Sequence, residues 1–129
     1  MTSRIATVAI DALDVPRLAE FWMAVLGWRI LEDDGEVLTI GPPDGTWPTI
    51  DLVRIGDLEA KTTKNRLHLD LRADGSTQAL EVERVLALGA RHADVGQGPD
   101  VSWVVLADPE GNEFCILSRS VQEAARPGT

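Results

Sequence analysis

Thr7-Val-Ala-Ile-Asp-Ala-Leu-Asp14 leads into a helix-like run ending in Val25-Leu-Gly-Trp-Arg29, and about sixty residues later the chain repeats itself. There His68-Leu-Asp-Leu-Arg-Ala-Asp-Gly75 leads through a second helix-like run into Ala87-Leu-Gly-Ala-Arg91. The echo extends to Pro43-Asp-Gly45, before the strand around Asp51, and Pro109-Glu-Gly111, before the strand around Cys115. A repeat governs the fold before any single residue does, because each copy must form the same supersecondary unit. Two copies are too few for a solenoid. They make a domain of paired modules, an arrangement that tends to build a shared cavity.

Residues 4–12 alternate, with Ile5, Val8 and Ile10 among small or polar residues, and read as a strand. Asp14 is placed to cap a helix, and Pro16 fits its first turn, where a missing N–H costs nothing. Leu18, Phe21, Trp22 and Val25 then form one apolar stripe, which Gly27 ends. Residues 28–32 and 36–40 read as strands around Asp33-Asp34-Gly35, 41–48 as a loop and 49–55 as a strand. The second copy offers a strand at 66–72 and a helix capped by Ser76 or Thr77. That helix carries Val82, Val85 and Leu86 inward and ends at Gly89; strands follow at 92–95, 102–107 and 113–118. The expectation is one α+β domain over 1–129, of two βαβββ modules forming a curved mixed sheet around a cavity with the helices outside. Module one covers about 4–55, a linker 56–64, module two about 65–118 and a tail 119–129; the small, polar residues 122–129 read as mobile.

Side chains alternate across a strand, so parity sorts each strand into two faces. Val8 and Ile10, Ile50 and Leu52, Leu67, Leu69 and Leu71, and Phe114 and Ile116 make an apolar floor for the helices. The opposite faces carry Thr7, Ala9 and Asp11; Thr49, Asp51 and Val53; His68, Asp70 and Arg72; and Glu113, Cys115 and Leu117. Carboxylates and a histidine mixed with Val53, Cys115 and Leu117 fit a half-polar cavity better than a solvent face.

Bulk properties narrow the partners. The apolar share of 44% and charged share of 26% are those of an ordinary globular protein. A net charge of −9 argues against nucleic acid or an anionic membrane surface as partner. No apolar run approaches the roughly 20 residues of a membrane span, and the N-terminus lacks a secretory layout. The lone Cys115 excludes an intrachain disulfide and suits a reducing cytoplasm, the expected location.

Duplicated strand-helix-strand-strand-strand modules with Phe21-Trp22-x3-Leu26-Gly27-Trp28 and Asp108-Pro-Glu-Gly111 resemble the vicinal oxygen chelate superfamily. That group includes glyoxalase I, extradiol dioxygenases, fosfomycin-resistance transferases and bleomycin-binding proteins. Lys64-Asn-Arg-Leu-His-Leu-Asp70 and Asp108-Pro-Glu-Gly-Asn-Glu-Phe-Cys115 are similar to its glyoxalase-like domains. The resemblance implies metal ligands on the first and last strands of each module, here Thr7, Asp51, His68 and Cys115. His68 matches the pattern, Asp51 shortens the usual glutamate, Thr7 is a poor ligand, and Cys115 replaces a carboxylate. His68, Asp51 and Cys115 would suit Zn²⁺ better than Mn²⁺ or Mg²⁺. The resemblance also implies a homodimer.

Bland alternatives stand beside these. His68 is explained equally by a hydrogen bond to Asp51 or Asp70 in a cavity wall, and Cys115 by burial as a small hydrophobe. Trp22 and Trp28 read as core, His92 as surface. Trp47, in a loop, and Trp103, on a strand, are the candidates to stack on a ligand. Arg54, Lys61, Lys64 and Arg66 read as a solvated patch, and Arg66 or Arg72, near the mouth, is the candidate to hold an anion. The reading favoured is a small-molecule cavity protein, binding or sequestering its ligand through Thr7, Asp51, His68, Asp70, Arg72, Trp47, Trp103 and Cys115, without a resident cofactor. The alternatives are a metal-dependent lyase or isomerase resembling glyoxalase I, and metal-free acid–base catalysis by His68 with Asp51.

Overall fold

Residues 1–46, 48–57 and 59–125 are described by a computed structural model. The chain divides into two compact units, Met1–Ala60 and Lys61–Thr129. The first runs β1 (Thr7–Ala12), α1 (Val15–Leu26), β2 (Arg29–Asp33), β3 (Val37–Gly41) and β4 (Thr49–Arg54). The second runs β5 (Leu69–Leu71), α2 (Gln78–Leu88), β6 (Arg91–His92), β7 (Val104–Ala107), β8 (Glu113–Ile116) and a short α3 (Val121–Ala124). Each unit holds a four-stranded mixed sheet, ordered β1-β4-β3-β2 in one and β5-β8-β7-β6 in the other. In both, the first strand pairs parallel with the last, and the remaining pairs are antiparallel. The repeated motifs have therefore produced a repeated topology, the α+β class expected from them.

Local chemistry accounts for both long helices. Asp14 accepts a hydrogen bond from the Arg17 N–H, Pro16 lies in the first turn, and Gly27 closes α1 in the left-handed region at φ 68°. The stripe of Leu18, Phe21, Trp22 and Val25 is buried and packs against β3 and β4, where Ile40, Ile50 and Leu52 are buried too. Each such side chain contributes about 1.5–3 kcal/mol on burial. Thr77 caps α2, which packs on β8 through Val85 opposite the buried Phe114 and Ile116.

Four expectations need correction. Leu67 is 87% exposed and not part of the apolar floor, because the strand begins only at Leu69. Val8 is also exposed, since α1 lies over β3 and β4 and leaves the edge strand β1 less covered. The strand expected at 92–95 stops at His92; Val95 and Gly96 (φ 84°) turn away, with the Val95 N–H donating to the Gln97 side chain. The segment beyond 119 holds α3, where Ser120 and Glu123 form a reciprocal capping box and the Val121 N–H donates to the Ala73 carbonyl. The Gln122 side chain ties α3 further to Asp74 and Gly75. Among the described residues no helix is long and apolar enough to cross a membrane.

Candidate functional site

Register places the chemistry of the second unit. Asp70 and Cys115 are direct partners across β5 and β8, and Val105 pairs with Cys115 across β7 and β8, so the three share one face. Glu113 and Leu117 extend it by parity, on the side opposite Phe114 and Ile116. This face lines a cavity of about 390 Å³. Val95, Trp103, Val105 and Leu117 give it apolar walls, and Lys64, His68, Asp70, Gln97, Glu113 and Cys115 supply polar groups. Gln97 is fixed over it by accepting from the Val95 N–H and donating to the Ala93 carbonyl, between Gly96 and Gly98, both at positive φ.

His68, Asp70 and Cys115 converge: one ligand atom from each lies within 4.8 Å of the others. The His68 Nδ1 and Asp70 Oδ1 atoms are 2.7 Å apart, with both side chains about two-fifths exposed. Cys115 is buried. Burial first, then the charge and hydrogen bond of Asp70, push its thiol up to about 11 against an opposing pull from Lys64. It is therefore a neutral thiol at physiological pH, not an activated nucleophile. Glu113 differs. Burial alone would raise its carboxyl, but hydrogen bonds from Lys61 (2.9 Å) and the Asn65 N–H (3.1 Å) prevail and hold it below the ordinary range.

In the first unit Asp51 pairs with Ala9, and its carboxylate accepts a 2.6 Å hydrogen bond from the Thr39 hydroxyl. Thr7 lies two positions earlier on β1, opposite Thr49, and donates to the Thr49 carbonyl. The duplication lends this meaning: Thr7, Ala9 and Asp51 hold the places that His68, Asp70 and Cys115 hold in the second unit. Asp70, one of the two carboxylates weighed as partner for His68, lies within hydrogen-bonding distance of it. Arg72 is turned to the Arg119 carbonyl and does not line the cavity. Trp103 lines it, and Trp47 lies outside the described residues. Sequence reasoning missed Gln97 and Val95, which belong to an irregular loop with no periodicity to read. Lys64 and Glu113 were visible only as a surface charge and a face member.

The family profile described as a glyoxalase-like domain matches residues 7–117. No curated protein matches the chain. Among solved structures, a glyoxalase/bleomycin resistance protein/dioxygenase family enzyme from Burkholderia phytofirmans PsJN is 20% identical, with 88% of this chain and 97% of that one covered and a TM-score of 0.68. A fosfomycin resistance protein from Listeria monocytogenes, complexed with Mn(II) and a dihydroxypropylphosphonic acid, is 12% identical over 95% of both chains at a TM-score of 0.70. The Leishmania major glyoxalase I is 14% identical, with 91% of this chain and 87% of that one covered at 0.64.

Proposed function

This chain belongs to the glyoxalase-like domain family, and from that premise we propose that it binds a small molecule in the cavity of its second unit. Proteins of similar fold include a glyoxalase I and a fosfomycin resistance protein complexed with Mn(II), so the fold alone does not choose a chemistry. The observation carrying the proposal is the lining. Val95, Trp103, Val105 and Leu117 share the lining with a few polar groups, the mixed composition of small-molecule sites in general. At about 390 Å³ the space suits a compact ligand. Trp103 offers a ring to stack on, while His68, Asp70 and Lys64 offer polar groups to orient the ligand.

The test is ligand-dependent stabilisation of the purified protein by a library of small aromatic and heteroaromatic compounds. Hits lose their effect in Leu117→Trp, which fills the cavity, and weaken in Trp103→Ala by about 1–2 kcal/mol. Hits that stabilise both variants as well as the parent place the ligand elsewhere and end the proposal.

A second reading rests on the 2.7 Å contact between His68 and Asp70. A carboxylate holding Nδ1–H leaves Nε2 as a proton acceptor for a bound substrate. Here Asp70 takes the orienting role first weighed for Asp51. Turnover of a bound ligand that disappears in His68→Gln with affinity retained supports this reading.

A further inference from the structure

We infer that the second unit by itself holds a thiophilic divalent ion, Zn²⁺ or Co²⁺ rather than Mn²⁺ or Mg²⁺, through His68, Asp70 and Cys115. This deepens the proposed function and rests on it, since the ion would sit among the polar groups of the cavity proposed to take a ligand.

The donor set carries the argument. It comprises one imidazole nitrogen, one carboxylate oxygen and one sulfur, whose atoms all lie within 4.8 Å of one another. Ligand atoms on a tetrahedral ion are about 3.3–3.8 Å apart, given metal–ligand bonds of about 2.0–2.3 Å. Coordination needs His68 and Asp70 to rotate and open their 2.7 Å contact, and both side chains, 42% and 44% exposed, have solvent on one side in which to do so. Cys115 is the fixed member, buried and register-paired with Asp70. Three protein donors leave a fourth position for water or a ligand group.

Ion class follows from the elements. Mn²⁺ and Mg²⁺ favour oxygen, and this cluster offers one carboxylate. The other carboxylate lining the cavity, Glu113, is engaged by Lys61 and the Asn65 N–H. Sulfur and imidazole favour Zn²⁺ and its neighbours. Coordination makes a metal–sulfur bond and releases the thiol proton to solvent, since a bound divalent ion deprotonates a coordinating thiol. In the first unit the corresponding triple is Thr7, Ala9 and Asp51, which offers neither nitrogen nor sulfur.

The experiment titrates the chelator-stripped full chain with Co²⁺ and, separately, Mn²⁺. One equivalent of Co²⁺ is expected, with a thiolate-to-cobalt charge-transfer band in the near ultraviolet that Zn²⁺ displaces, and Mn²⁺ binding at least about 100-fold weaker. Cys115→Ser abolishes the band. His68→Gln, at an exposed position that does not threaten folding, also weakens Co²⁺ binding, and Asp51→Asn leaves it unchanged. Absence of the band in the parent, tighter Mn²⁺ than Co²⁺, or loss of binding in Asp51→Asn overturns the inference. If no ion binds while small molecules still stabilise the protein through the cavity, the inference falls and the proposed function stands. If neither binds, both fall.

Discussion

Cys115 shows how a single residue's surroundings set its chemistry. It lies on the cavity face yet is buried, beside the Asp70 carboxylate, and both raise its thiol to about 11. The metal-free protein should therefore react slowly with iodoacetamide near neutral pH, with the rate climbing only as pH approaches 11. Full reactivity by about pH 8.5, where an ordinary thiol is half ionised, would contradict this environment. The linkage has a definite sign. A raised folded value means stability is intact below the unfolded value and lost as pH rises through the folded one, so alkaline pH weakens the fold. Parity alone put Cys115, His68 and Asp70 on one face, but it could not choose between Asp51 and Asp70 for His68. Nor could it bring Asp70 beside Cys115, which needs the parallel register of β5 on β8, a long-range pairing that no local pattern encodes.

At the scale of elements, α1 and the faces of β4 and β8 were legible because cap, stripe and alternation all agree there. β5 was legible only in part. Its three strand residues fall within a longer alternation, so Leu67 copies the pattern without being in the strand. The contrast is measurable by urea denaturation. Leu52→Ala removes a fully buried side chain and should cost about 2–5 kcal/mol, whereas Leu67→Ser should change stability by less than about 0.5 kcal/mol. Equal losses would mean that the apolar floor continues to Leu67. Asp14→Ala, which removes the α1 cap, should cost about 1 kcal/mol.

For the molecule as a whole, the duplication was readable from the chain, and it is realised as two sheets of identical strand order. What it concealed is an inequality between the copies: the donors that converge in the second unit have threonine, alanine and aspartate in their place in the first. Near the start of the second unit, Lys61 and Asn65 bind Glu113 on β8, tying residues 61–65 to the strand that floors the cavity. Glu113 lies below its ordinary range, so this tie contributes stability above about pH 4.5 and loses it as pH falls through the folded value. Lys61→Met should reduce stability at neutral pH by about 1 kcal/mol and flatten its acid dependence; an unchanged acid profile would show the tie to be idle. The central claim is that the second unit's cavity is where this protein meets its ligand. Amide-resolved NMR of the full chain with a stabilising small molecule tests it most directly. Shifts should concentrate at His68, Asp70, Gln97, Trp103, Val105 and Cys115; a pattern centred on Thr7, Thr39 and Asp51 that spares those residues would contradict it.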